Sequence, residues 1–299
     1  MNRVLELIKG PEFDSPYLGQ KIGIAVLDTG IYSHPDFDNR VIAFRDLVHN
    51  QSFMYDDCGH GTHVSGIIAG SGSASDGYCH GVAPKANLIG VKVLDHKGNG
   101  NIKHLLEGIQ WVIKHKDKYN IRIINISAGT VPKDSKEESS TLVKGVEEAW
   151  DKGIIVVTAA GNNGPKPMSI TTPGISRKVI TVGCSDDQKL TNVQGNKVVN
   201  YSGRGPTASC ICKPDIVAPG SGIISCAAMG KRNSKLYCIK SGTSMATPIV
   251  SGAIAVLLSK YPYLTNVDVK IRLKEKSVDL GLPKNQQGWG MLDVGNLLS

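Results

Sequence analysis

Short, nearly continuous apolar runs alternate along this chain with longer stretches of helical periodicity. The runs at 22–27, 88–93, 121–126, 154–158 and 179–182 are rich in Ile, Val and small residues and too short for helices. They predict strands buried on both faces. A further strand is expected at 41–44. Between them, Ile102, Leu105, Leu106, Ile109 and Ile113 recur at helical spacing, which predicts an amphipathic helix over 101–118, and 142–150 reads as the next one. Strands and helices in strict alternation imply a mostly parallel sheet covered by helices on both faces, an α/β fold. From residue 184 the runs shorten: 223–226 and 236–240 read as strands, and Thr265-Asn266-Val267-Asp268 announces a capped helix over about 266–275. Residues 1–20, broken by Pro11 and Pro16, read as an irregular N-terminal segment. No linker, repeat or low-complexity tract divides the chain, so 1–299 is expected to form a single domain.

Two stretches are apolar all round with small residues interleaved, 60–70 and 243–258, and read as buried helices. Each carries a chemically useful residue in its first turn, His60 and Ser244. A serine before an apolar helix is ordinarily an N-cap, and its position alone says no more than that. In a parallel sheet, however, working residues collect beyond the carboxyl ends of the strands, where Asp28, Ser127-Ala128-Gly129 and Ala160-Gly161-Asn162 all fall. An Asp, a His and a helix-borne Ser in that chain order form one of the known arrangements of an acyl-transfer site.

Four motifs in order, Val26-Leu27-Asp28-Thr29-Gly30, His60-Gly61-Thr62-His63-Val64, Ala159-Ala160-Gly161-Asn162 and Gly242-Thr243-Ser244-Met245-Ala246, resemble those of the subtilisin-like serine proteases, the subtilases. The resemblance implies a three-layer α/β/α subtilisin-like fold and a serine endopeptidase. In it Ser244 would be the nucleophile, His60 the general base and acid, Asp28 the residue that orients the imidazole, and Asn162 an oxyanion donor. It also implies an extended substrate paired along Gly98-Asn99-Gly100 and Ser127-Ala128-Gly129. The pocket before the scissile bond would be walled by 127–129 and by Ala160, Gly161 and their neighbours, with Thr171 near its floor. No charged residue occurs in those stretches, so an uncharged side chain is expected there. His63, one turn after His60, is expected to pack or hydrogen-bond; the zinc-protease helix motif needs i,i+4 spacing with a Glu, and neither is present.

Composition changes this picture little. A net charge of +8 raises nucleic-acid binding, but the basic residues are scattered, and the dense run 114–118 sits at a helix end, so no nucleic-acid partner is expected. No apolar run is expected to reach the roughly 18 residues of a membrane span, so protein or peptide substrates and no membrane are the expected partners. Seven cysteines cannot all pair within the chain, and Cys210-Ile211-Cys212 lacks a second pair at zinc-ligand spacing. With no secretory-type apolar stretch near Met1, these features predict a cytoplasmic protein, the alternative being the secreted part of a longer precursor. Structural calcium is common in subtilases, and Asp36 matches a frequent ligand. Because 71–80 is Gly/Ser-rich and lacks the usual ligands, Asp36 is expected to be an exposed loop acid, with no metal or cofactor needed for chemistry. Two rival classes are a catalytically silent peptide-binding relative and a lipase-like hydrolase, which would run Ser, Asp, His along the chain.

Overall fold

A computed structural model describes residues 1–132, 135–229 and 235–299. In chain order the elements begin with α1 (Asn2–Leu7), β1 (Gly23–Asp28), β2 (Val41–Asp46), α2 (His60–Ala69), β3 (Asn87–Lys92) and α3 (Ile102–His115). There follow β4 (Ile121–Ile126), α4 (Thr141–Asp151), β5 (Ile155–Ala159), β6 (Ile180–Cys184), the hairpin β7 (Thr191–Val193) and β8 (Asn196–Val198), and β9 (Ile216–Ala218). The chain ends with β10 (Ile223–Cys226), β11 (Tyr237–Lys240), α5 (Thr243–Lys260), α6 (Asn266–Lys276), α7 (Lys284–Gln287) and α8 (Val294–Leu298).

Seven parallel strands form one sheet in the order β2-β3-β1-β4-β5-β6-β9. Side chains of β1 alternate between the faces, as the two-residue period of a strand requires. Ile24 and Val26 join the core shared with α2 and α5, while Ala25 and Leu27 join the one shared with α3 and α4. This is the three-layer α/β/α arrangement. Asp28 pairs in register with Lys92, so the carboxyl ends of β1 and β3 finish side by side.

Helix α5 packs on β4, β5 and β6 and is buried from Thr243 to Leu258, which explains its apolar character on every side. Contrary to expectation, its 18 residues do reach the length and composition that could cross a membrane. Here 83% of it lies inside the protein, and the small residues fit the close approach to α2. The N-terminal segment also departs from expectation. Met1, Val4, Leu5 and Ile8 are spaced as one helical face and bury in the α2/α5 core, so Asn2–Leu7 is helical rather than irregular.

At the β6–β9 end, Lys213 is fully buried and donates to Val179 O (3.1 Å), Thr181 Oγ1 (3.0 Å) and Asp215 Oδ2 (2.5 Å). Asp215 in turn accepts from Thr181 N–H (2.7 Å), and Lys270 Nζ lies 3.9 Å from its other oxygen, so the Lys213–Asp215 pair ties the segment before β9 to β6. Removing one member of a buried pair strands the other's charge at a cost of about 3–5 kcal/mol. Lys213→Met is therefore expected to lower unfolding stability by about that much, measured by denaturant titration.

Candidate active site

Asp28 is fully buried at the end of β1. Its Oδ1 accepts from Thr29 N–H (2.7 Å) and from His60 Nδ1 (2.7 Å), while Oδ2 has no partner among the described residues. An ionised carboxylate only accepts, so the proton sits on Nδ1 and His60 Nε2 is left as an acceptor. This contact depends on α2 starting almost against β1. A Cβ on Gly61 would collide with Gly30 O and lie 3.1 Å from Asp28 Cβ, so only glycine permits the approach.

A second carboxylate holds the approach in place. Asp56 Oδ1 accepts from Thr29 Oγ1 (2.8 Å) and Gly59 N–H (2.7 Å), and Oδ2 from Thr62 N–H (2.9 Å) and Thr62 Oγ1 (2.6 Å). Thr29 Oγ1 also accepts from Gly61 N–H (2.9 Å), so the end of β1 and the first turn of α2 share one network. Its negative charge lies at a helix N-terminus, where the unpaired amides favour it. Buried Lys92 ties the same corner from below, donating to Thr29 O (2.6 Å), Leu94 O (2.9 Å) and Asp57 Oδ1 (2.7 Å).

Ser244 occupies the first turn of α5 and is nearly buried. It lines the same cleft as His60, but its hydroxyl donates to Ser127 O (2.8 Å), and no hydrogen bond joins it to the imidazole. Asn162 faces that hydroxyl's helix start. Its Oδ1 accepts from Thr243 N–H (2.9 Å) and Thr243 Oγ1 (3.1 Å), which orients the amide and leaves Nδ2 without an acceptor among the described residues. Gly242 has φ +139°, and a Cβ there would lie 3.2 Å from Asn162 Nδ2, so glycine keeps that amide group accessible.

Burial in the cleft disfavours the imidazolium of His60, yet the charge of Asp28 and its hydrogen bond outweigh burial, and the pKa lies above the ordinary value. Asp56 adds to the rise and Lys240 opposes it. His63 behaves oppositely: burial and the charge of Lys240 press its pKa down to about 3. Its Nε2–H is shared between Ile223 O and Cys238 O, both at 3.1 Å, and this contact fastens α2 to the β10–β11 ribbon. The thiol of Cys58, beside His60 in the cleft, is pushed upward by burial and by Asp56, away from reactivity.

Of the expected substrate-binding residues, Gly98, Asn99, Ser127, Ala128, Gly129, Gly161 and Thr171 do line the cleft. The segment after β4 pairs with the Thr171 strand through Thr130 and Thr172 (3.0 and 2.8 Å), which brings Thr171 against Gly129 and Gly161. Two residues are elsewhere. Ala160 is fully buried in a small core with Val143, Ile170 and Ile175, its carbonyl accepting from Thr171 N–H (3.0 Å). Gly100 bridges Leu94 and does not line the cleft. Conversely, Gln194 and Lys240 line it and were not anticipated. Gln194 sits with Gly195 in the two-residue turn of the β7–β8 hairpin, both with positive φ. The signal that could have found it is the polar-Gly pair between Val193 and Val198.

The expectation for Asp36 is corrected: it is fully buried, not an exposed loop acid. Its Oδ1 accepts from Ala74 N–H (2.9 Å) and its Oδ2 from the Tyr237 hydroxyl (2.8 Å) and the Cys226 thiol (3.6 Å). His34, whose ring atoms lie near, accepts from Asp36 N–H (3.1 Å) and donates to Leu236 O (2.8 Å). Donor hydrogens from the loop and from the β10–β11 ribbon surround the carboxylate where calcium would need oxygens, so these residues do not fit that ion.

A buried acid, an imidazole and a helix-start hydroxyl thus gather around one cleft at the carboxyl end of a parallel sheet. The chain belongs to the subtilase family, whose model matches residues 19–290. It is 44% identical over 269 residues to Serine protease AprX of Bacillus subtilis strain 168, a match covering 86% of this chain and 61% of AprX, so the chain spans less than two thirds of that relative. It is 35% identical to Subtilisin Savinase of Lederbergia lenta, over 92% of this chain and 90% of that protein. Among solved structures, Sphericase superposes with a TM-score of 0.78 at 30% identity, covering 97% of both chains. A relative 33% identical over 91% of this chain and 37% of its own length is named Minor extracellular protease Epr, also of B. subtilis, and nothing among these relatives supports the cytoplasmic expectation.

Two outcomes are expected. Titration of the His60 ring by NMR should give a midpoint above about 6.5, falling in Asp28→Asn as burial and Lys240 are then opposed by Asp56 alone. Dialysis against a chelator should leave both the Asp36 loop and peptide hydrolysis unchanged; loss of activity in a folded sample would show a metal requirement.

Proposed function

We propose that this chain is a serine endopeptidase working through Ser244, His60 and Asp28. The observation that carries the reading is the 2.7 Å bond from His60 Nδ1 to buried Asp28, which aims a free Nε2 into the cleft that Ser244 lines. Turning the Ser244 side chain from Ser127 O toward Nε2 supplies the missing hydrogen bond; such bonds are often absent until substrate arrives. Ser244 Oγ then attacks the scissile carbonyl as its proton moves to His60 Nε2. The imidazolium, stabilised by Asp28, returns that proton to the leaving amine, giving the acyl-enzyme. Water, deprotonated by His60 in the same way, releases the acid product and restores the hydroxyl. Asn162 Nδ2 and the Ser244 backbone N–H would face the developing oxyanion, each donor of this type being worth about 3–4 kcal/mol.

The substrate would lie extended against 127–129 and Gly98-Asn99, its side chain before the scissile bond entering the space walled by Gly129, Gly161 and Thr171. Among the described residues no charged side chain belongs to that wall, which favours an uncharged residue there. Chemistry needs no cofactor in this reading. The extracellular name of one relative favours export of this chain over a cytoplasmic location.

A sulfonyl fluoride should add covalently to Ser244 in the wild type and not in His60→Ala, read by peptide mass mapping. Ser244→Ala should lower kcat by about 10⁶-fold and Asn162→Gly by about 10²–10³-fold. Failure of the folded wild type to label, or a cleavage profile dominated by Lys, Arg, Asp or Glu before the scissile bond, overturns the respective part.

A further inference from the structure

The cleft has two lobes that meet at His60, Asn162 and Ser244. In the function proposed above, on which this inference rests, the lobe holding Gly129 and Thr171 takes the residue before the scissile bond. The other lobe, bounded by Gly222, Ile239, Ser241 and Met245 with the β7–β8 turn above it, is left for the leaving-group side.

Lys240 lines both lobes at their junction. Among the described residues it is, apart from His60, the one ionisable side chain lining the second lobe, and no carboxylate lines it. None of the ion pairs among the described residues includes it. Its backbone is held firmly: it ends β11 opposite Ile223, and the next two residues bond back through Ser241 Oγ to Gly222 N–H (2.9 Å) and through Gly242 N–H to Gly220 O (2.9 Å). Its charge acts against protonation of both His60 and His63, which puts the ammonium within Coulomb range of the imidazole. A reaction that makes an imidazolium at His60 therefore brings up a second positive charge beside an unneutralised one.

We infer that Lys240 selects peptides carrying Asp or Glu immediately after the scissile bond. A substrate carboxylate in the second lobe meets the ammonium in the ground state and offsets its repulsion of the imidazolium in the transition state. The preference therefore acts on binding and on the chemical step together. Partly exposed charge pairs of this kind change rates by about two- to fivefold each, and salt screens them over about 10 Å at 0.1 M.

The test uses three peptides identical except for Glu, Gln or Lys after the scissile bond, with an uncharged residue before it. The expected order of kcat/KM is Glu over Gln over Lys, about tenfold from end to end at low salt and shrinking in 0.5 M salt. Lys240→Gln should flatten the order and Lys240→Glu reverse it, with the Gln peptide as the reference within each variant. Affinities of the same peptides for Ser244→Ala and for Ser244→Ala/Lys240→Glu read the charge effect without turnover. An unchanged Glu-to-Lys ratio across the Lys240 variants, in rate or in affinity, overturns the inference while leaving the endopeptidase reading intact. Charge-ordered binding with no hydrolysis of any peptide sinks the endopeptidase reading instead and leaves Lys240 as a determinant of binding.

Discussion

The short bond between Asp28 and His60 is the constraint around which the molecule is arranged. It asks a carboxylate to stay ionised at the end of a buried strand with one oxygen unpartnered, an arrangement that costs on the order of 1–3 kcal/mol. The surrounding structure makes this tolerable. Parallel strands fix where β1 ends, Gly61 lets the helix come within contact, and Asp56 and Lys92 brace the corner so that the carboxylate and the imidazole cannot drift apart. Stability is given up locally and recovered in the two cores on either side of the sheet.

Chemically identical side chains in this protein receive opposite roles from their surroundings. His60 keeps a free acceptor nitrogen and a raised pKa because a carboxylate faces it, whereas His63, one turn on, is held neutral by deep burial and the nearby charge of Lys240, against the pull of two carbonyls. Asp28 and Asp36 are both fully buried acids. The first accepts a bond that points into the cleft; the second is consumed by an amide, a tyrosine hydroxyl and a thiol, and fastens the loop beside it. Partner geometry, not residue type, separates the reactive member of each pair from the structural one.

The cleft itself is electrostatically one-sided. Among the described residues its lining includes Lys97 and Lys240 and no carboxylate. The hairpin that covers one lobe is anchored by buried Val193 and by Val198 packed on the core, which lets its Gln194-Gly195 turn stand at the junction of the two lobes. A two-stranded ribbon this short has little stability of its own and depends on those apolar anchors.

Much of this was legible in the linear chain, because it is written in contiguous residues. Unbroken apolar runs announced β1, β3, β4, β5 and β6, helical spacing announced α3 and α4, and Thr265 with Asp268 formed the expected capping box of α6. The acid, imidazole, serine and amide could be named from four short motifs and their order, and the structure gathers all four at one cleft. Other features were missed although they left local traces: the apolar face of α1 from Met1 to Ile8, and the hairpin turn at 194–195. What no local pattern could decide was the environment. That Asp36 is buried beneath Tyr237, that Ala160 faces a core rather than substrate, that Ser244 rests on Ser127 O, and that Lys240 stands unpaired beside His60 all depend on segments more than a hundred residues apart meeting, except for the Ala160 core. Periodicity encodes which face of an element is apolar, but burial, partners and pKa are set by what the rest of the chain places against it, and only packing specifies that.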